Sequence, residues 1–414
     1  YTSMRVADLI AQVLVDHGIK HVFMVTGGAA MHLNDALGNH PDLEYICCHH
    51  EQSCAMAAES YFRLSGKLAA LNVTAGPGSI NTLNGVFGAY VDSLGMIVIS
   101  GQAKRETMAR NYDIPLRQLG DQEVDIVSVV RPVTKYATVL QKPEKVRHVM
   151  EKAIFLATNG RPGPVWIDVP IDVQAAPIDP NNLSTFYPED IESILNDKDL
   201  PENTKGEFNI VLSSEMSNEI DRILEKLKSA LRPVVFAGSG VRISDSKDIF
   251  LAVISKMGVP VVTGWNAHDL VPNDHPQYVG RPGTVGDRAG NFSVQNADFL
   301  LVLGSRLNIR QVSYNWKSFA RHAWTVQVDI DPAELSKPTL RIDQPVHANL
   351  ADFLEMINNK LKDYVISKNH SNYLNWCRER VKSYPVVLPE YWESEKVNPY
   401  CFIDQLFSLL KSED

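Results

Sequence analysis

The chain has 414 residues, 44% of them hydrophobic and 21% charged, with a net charge of −9 at neutral pH. That length predicts two or three domains, and the acidic balance leaves no basic stripe for a nucleic-acid partner. No apolar run reaches the ~18 residues of a membrane helix, the first residues do not read as a secretory signal, and five cysteines, an odd number, fit a reduced, cytoplasmic setting.

In chain order, Val6, Leu9, Ile10, Val13 and Leu14 recur at helical spacing, and Gly18 supplies a stop. "HVFMV" reads as a buried strand and "TGGAAMHLNDAL" as a glycine turn feeding a helix. The pattern repeats through the strand "LEYICC", the helix "EQSCAMAAESYFRLSG", the strand "LAALNVT", the turn "AGPGS", the helix "INTLNGVFGAYVDS" and the strand "MIVIS". A last strand, "VWIDVP", closes this unit. Apolar strands alternating with helices predict a parallel sheet covered on both faces.

Residues 176–215 are polar, acidic and rich in turn formers, and read as a linker with one short helix. The rhythm resumes with "PVVFAGSG", "GVPVVTG", "ADFLLVLGS" and "TVQVDIDP". The expected fold is therefore α/β, with two doubly wound parallel-sheet domains in tandem, residues 1–175 and 216–365, and a helical tail over 366–414.

The stretch "CCHHEQSCAMAAES", residues 47–60, packs cysteines, histidines and a glutamate together. Zinc patterns separate paired cysteines by two to four residues. Here Cys47 and Cys48 are adjacent at a strand end and Cys54 lies within a helix, so all three read as small buried hydrophobes. Glu51 sits where a strand's carboxyl end turns into a helix, the place where open α/β sheets bind ligands. The alternative is a carboxylate that only complements the helix dipole. Two further glycine-rich turns, "VTGGAA" with Gly27 and Gly28 and "TAGPGS" with Gly76, Pro77 and Gly78, would form a cleft walled by backbone beside it. Neither turn is a P-loop or a dinucleotide fingerprint.

Taken in order, "TGGAAMHLNDAL", "HHEQSCAMAAESYFRLSGK", "TAGPGSINTLNGVFGAYVDSLGMIVISGQ", "RQLGDQEVDIV", "RPVTKY" and "NGRPGPVWIDVPIDVQ" resemble the pyrimidine-binding domain of thiamine-diphosphate enzymes of the acetolactate synthase family. "RPVVFAGSG", "DHP", "VQNADFLLVLGSR" and "VDIDPAEL" look like that family's central domain. The resemblance implies a carboxylic acid at Glu51 that hydrogen-bonds a ring nitrogen of the cofactor's aminopyrimidine and so drives removal of the thiazolium proton. It also implies that Gly27, Gly28 and Ala29 line the substrate side, that Pro77 and Asn81 flank the aminopyrimidine, and that Gln122 faces the reacting centre. Asn81 could instead cap a helix. The paired histidines of related decarboxylases belong at "LGDQE", where this sequence has none.

The same resemblance leaves FAD open as a second cofactor, with Arg161, Gly238, Ser239, Gly240 and Arg306 at its contact positions. Against it, the family's "GMHGT" is "GRPGT", its "DDR" is Asn308-Ile309-Arg310, a Gly-Asp pair is Ala348-Asn349, and a lysine after "VP" is Ile171. In the family a third domain holds the diphosphate through Mg²⁺ with a Gly-Asp-Gly motif. "VGDRAGN" is the near match, but Arg288 replaces its second glycine, so no metal ligand is assigned and Mg²⁺ is expected on a domain outside this chain.

The expected function is joining a decarboxylated 2-keto acid unit to an acceptor carbonyl, in a homodimer or homotetramer, with the 414-residue chain inactive alone. The alternatives are acyl transfer on a keto-sugar, 2-keto acid decarboxylation, or a regulatory or assembly subunit.

Overall fold

The computed structural model describes residues 4–197, 200–208 and 213–411. The chain folds as two compact units, residues 1–209 and 210–414.

In the first unit six parallel strands, β1 (His21–Met24), β2 (Glu44–Cys47), β3 (Ala70–Val73), β4 (Met96–Gln102), β5 (Tyr136–Val139) and β6 (Pro164–Pro170), lie in the order β2-β1-β3-β4-β6-β5. Every residue of β3, β4 and β6 is buried, which is why these strands read as continuous apolar runs. The edge strand β5 is an addition to the expected set. Only half of its four residues are buried, so its apolar signal is weak. "VWIDVP" is the last long strand of the unit in sequence, but β5 lies outside it in space.

The helices sit where their caps and stops place them. Val6–Asp16 starts with the Arg5 backbone N–H donating to Asp8 Oδ2 at 2.9 Å. Glu51–Ser65 ends at Gly66, whose φ of 69° ends it in the left-handed conformation. The helix expected from Ile80 is two, Pro77–Asn81 and Leu83–Asp92, because Pro77 starts a helical turn earlier than the apolar pattern does. Helix Val146–Thr158 is also an addition. Its buried face includes Lys152, which pairs with Asp197, so its apolar stripe is interrupted by a charge.

Much of the segment expected as a linker lies against the first unit. Phe186, Ile194 and Leu200 join its core, and Glu207 forms a 2.8 Å ion pair with Lys135, both side chains under 5% exposed. Lys135 Nζ also donates to the carbonyls of Asn159 and Arg161 at 2.8 and 2.6 Å.

The second unit has five parallel strands, β7 (Pro233–Ala237), β8 (Val261–Thr263), β9 (Phe299–Leu303), β10 (Trp324–Asp329) and β11 (Gln344–His347), in the order β8-β7-β9-β10-β11. The strand β11 carries little sequence signal because only Gln344 and Val346 are buried in it. The tail is helical at Lys368–Ser383 and Pro399–Leu409. Its first helix belongs to the core of this unit: Tyr373 and Cys377 are buried, and Tyr373 Oη donates to the Ser293 carbonyl at 2.6 Å.

Candidate functional site

In the first unit β1 and β3 are neighbours with β2 outside them, so the chain reverses its winding direction between β1 and β3. A crevice opens at the carboxyl ends of strands at such a point. The turns leaving β1, β2 and β3 carry Gly27–Ala29, Glu51 and Pro77–Asn81 respectively, so the sheet gathers these six of the seven predicted residues at one edge.

Glu51 is the first residue of its helix and is half-buried. The helix is capped by His50, whose Nδ1 accepts from the Gln52 N–H at 3.1 Å, so capping does not fall to Glu51. The Glu51 carboxylate is held from one side. Asn81 Nδ2 donates to Oε2 at 3.0 Å, while Oε1 lies beside Gly78, 3.3 Å from where a Cβ would stand. Asn81 is the last residue of Pro77–Asn81, so it is not an N-cap. Of the three cysteines expected to be buried, only Cys54 is: Cys47 is exposed and Cys48 half-buried. Cys54 is fully buried and burial pushes its thiol up, away from reactivity.

The loop after β4 brings Gln122 to this edge. The Gln122 carbonyl oxygen rests against Gly76, 2.1 Å from where a Cβ would be, and Gly76 has a φ of 59°. Both facts demand glycine there. Gln122 itself has a φ of 54°, and its side chain is exposed. The next residue, Glu123, shapes the loop from inside: its carboxylate accepts the N–H groups of Ala109, Leu119 and Gly120 at 2.5, 3.0 and 3.1 Å.

Beneath the β1 turn, buried Asn72 donates to Asn34 Oδ1 at 2.6 Å, and Asn34 donates to the Gly27 carbonyl at 3.3 Å. Gln174, also fully buried, donates to the carbonyl of Ala29 at 2.7 Å. Sequence reasoning misses Glu123, Asn34, Asn72 and Gln174. They lie far apart in the chain, and the one local hint is a polar residue inside the apolar run "LAALNVT".

The residues assigned to FAD are placed differently. Arg161 precedes β6, at the amino-terminal edge opposite Glu51, and donates from Nε to Ser93 Oγ at 2.8 Å. In the second unit Gly238, Ser239 and Gly240 follow β7 and Arg306 follows β9, at the corresponding switch point. A Cβ on Gly238 would stand 2.2 Å from the Gly304 carbonyl oxygen, and one on Gly240 2.7 Å from Gly304 Cα. These glycines permit two loops to touch. Arg306 Nη1 lies 3.7 Å from Glu334 Oε1, and Lys337 Nζ donates to the Arg306 carbonyl. Asn308 and Asn349, where the sequence departs from the family pattern, cap helices by accepting from Gln311 and Ala351 N–H. Arg161, Arg306, Asn308 and Asn349 thus each have a protein partner. Asp287 is likewise a helix cap, with its two oxygens accepting the N–H groups of Gly290 and Arg281, both at 2.5 Å.

The Glu51 edge, by contrast, fits an aminopyrimidine: a carboxylate with one oxygen unclaimed among the described residues, set among backbone turns. Two family models match the chain, the thiamine pyrophosphate enzyme N-terminal TPP binding domain over residues 4–129 and the thiamine pyrophosphate enzyme central domain over residues 220–357. The chain belongs to the thiamine pyrophosphate enzymes. Within them it is similar to acetolactate synthase large subunits: 30% identical over 409 residues to that of Buchnera aphidicola from Schizaphis graminum, covering 98% of this chain and 66% of the relative. Isozyme 3 of Escherichia coli is 29% identical, with 98% and 67% covered. The probable large subunit of Methanocaldococcus jannaschii is 31% identical, with 99% and 65% covered. The chain thus spans about two thirds of the length of these relatives.

Proposed function

We propose that the protein is a thiamine-diphosphate-dependent carboligase that joins a decarboxylated 2-keto acid unit to an acceptor carbonyl. The observation that carries this reading is the Glu51 carboxylate, tethered at Oε2 by Asn81 and unclaimed at Oε1 among the described residues, at the carboxyl edge of the first sheet. The cofactor supplies an electron sink for the bond to the departing carboxylate. Glu51 Oε1 carries the proton shared with the aminopyrimidine ring, and Asn81 keeps that oxygen aimed by holding the other. Gly27, Gly28 and Ala29 line the substrate side with backbone, Pro77 flanks the ring, and the exposed Gln122 side chain meets the acceptor.

The diphosphate and its Mg²⁺ are held by residues outside the two domains, and this reading is supported by the helix-capping role of Asp287. Residues 1–414 alone therefore bind the cofactor weakly, without dependence on Mg²⁺, and do not turn over. The protein works as a cytoplasmic homodimer or homotetramer. Support for assembly comes from the exposed Met56, Ile80 and Phe87 on the helices around Glu51. The test is carbon dioxide release from pyruvate by the holoenzyme with thiamine diphosphate and Mg²⁺, scored together with formation of the carboligated product. Carbon dioxide release without a carboligated product would leave a decarboxylase.

A further inference from the structure

The loop that presents Gln122 begins after Gln102 and returns at Val124, and one buried side chain closes it. Gln102, fully buried, accepts the Ala103 N–H at Oε1 (2.9 Å) and donates from Nε2 to the Val124 carbonyl (2.9 Å). The two ends of the loop are thus clasped by one amide. Its orientation is fixed by its partners, because a backbone N–H faces the oxygen and a backbone carbonyl faces the nitrogen.

The second hydrogen on Gln102 Nε2 goes to Asp168 Oδ2 at 2.9 Å. Asp168, on β6, is 1% exposed. Its other oxygen accepts from Ser100 Oγ at 2.6 Å, and Ser100 Oγ in turn accepts from Trp166 Nε1 at 2.8 Å. The indole N–H can only donate, so the serine hydroxyl hydrogen is left to point at Asp168. In its ionised form Asp168 therefore offers both oxygens as acceptors, each facing an assigned donor. A carboxamide of the same shape would put an N–H against either the Gln102 amide or the Ser100 hydroxyl. One of those donors would then lose its acceptor in the core.

We propose that Asp168 is a positioning residue: through Gln102 it holds the closed form of the loop over residues 103–124 and so sets Gln122 against Gly76 at the mouth of the cleft. The role at Gln122 rests on the reading of this edge as the thiamine-diphosphate site, whereas the clasp itself does not. Asp168 touches no part of the cleft, and its effect passes through two hydrogen bonds and the loop.

The holoenzyme tests this with Asp168→Asn and, as a control on the unrelated Arg63–Asp92 pair, Asp92→Asn. Amide hydrogen exchange over residues 103–124 should rise about tenfold in Asp168→Asn and stay unchanged in the control. The kcat for carboligation should fall about tenfold, with cofactor affinity within about twofold of wild type. Added to Gln122→Ala, Asp168→Asn should lower kcat by less than about twofold, because both changes act on the same group. A general loss of structure would instead add to the Gln122 effect. If Asp168→Asn does not fold, Gln102→Met opens the clasp from its other end and should give the same exchange pattern. Unchanged exchange in the loop, or full additivity with Gln122→Ala, overturns the proposal. A wild-type enzyme without thiamine-diphosphate-dependent turnover overturns the functional reading instead, and the exchange result still decides the clasp.

Discussion

Asn81 Nδ2 donates to Glu51 Oε2 at 3.0 Å across 30 residues of sequence, joining the turn after β3 to the helix after β2. The bond divides the labour between two carboxylate oxygens, one anchored and one unclaimed among the described residues. Removing the anchor in Asn81→Ala should leave the fold intact and slow carboligation about tenfold, the effect of losing one hydrogen bond to a charged group. Steady-state kinetics of the holoenzyme at saturating cofactor measures it, and a rate unchanged within about twofold would make Asn81 a bystander.

At Gly76 the neighbour is backbone. A Cβ there would stand 2.1 Å from the Gln122 carbonyl oxygen, on a residue with a φ of 59°. Gly76→Ala should therefore cost about 1–3 kcal/mol of stability and more than tenfold in kcat, since the loop must move. Gly18→Ala is the control, with a φ of 74° but nothing near its Cβ position, so it keeps the strain and lacks the collision. Thermal denaturation alongside turnover separates the two effects.

The Lys135–Glu207 pair fastens residues 200–208 to the first unit from inside the core. Breaking it from one side with Lys135→Met should destabilise the protein by roughly 3 kcal/mol, because it takes the cation from a buried carboxylate that keeps the Arg161 N–H as a donor. Changing both partners to apolar residues should recover most of that loss. Urea unfolding midpoints for the single and double variants decide it, and a single variant within about 1 kcal/mol of wild type would mean that the segment is only loosely laid on.

Burial pushes the Asp168 carboxyl up to about 7, against the pull of its Ser100 and Gln102 hydrogen bonds. In the unfolded chain the same group titrates near 3.8. Because the folded value is the higher one, its contribution to stability is full below the unfolded value and fades as pH rises through the folded one. Asp168→Asn removes this dependence. Its stability relative to wild type should therefore rise between about pH 4 and pH 7 by a few kcal/mol and then level off. Denaturation curves for both proteins across that range would show it, and a constant difference would contradict it. At about pH 8 the Asn variant is then expected to be the slower enzyme without a matching loss of stability.

Much of the candidate site's placement at one sheet edge was legible because its signals are local. Glycine turns sit at strand ends, an acid stands at a helix start, and a parallel sheet brings those ends to one edge whatever their distance in sequence. Glu51, Gly27–Ala29 and Pro77–Asn81 were readable for that reason. The supports were not. Asp168 and Gln102 are 66 residues apart, and nothing in "VWIDVP" distinguishes a network acceptor from a strand-end carboxylate. The polar segment after residue 175 misleads in the opposite way. Its composition suggests a free tether, yet Phe186, Ile194 and Leu200 are spaced too widely to show as an apolar pattern while each finds a place in the core. In the second unit, the glycines read as ligand contacts also stand at a close approach of two loops, which only the folded sheet reveals.

The proposed chemistry turns on Glu51 Oε1 handling the cofactor's proton. Deuterium exchange at the thiazolium carbon, followed in the holoenzyme with Mg²⁺ present, measures that step without any substrate. Glu51→Gln should bind thiamine diphosphate and keep its fold, while exchange falls on the order of 100-fold or more. An exchange rate within a few fold of wild type in a variant that still binds the cofactor would take Glu51 out of the mechanism.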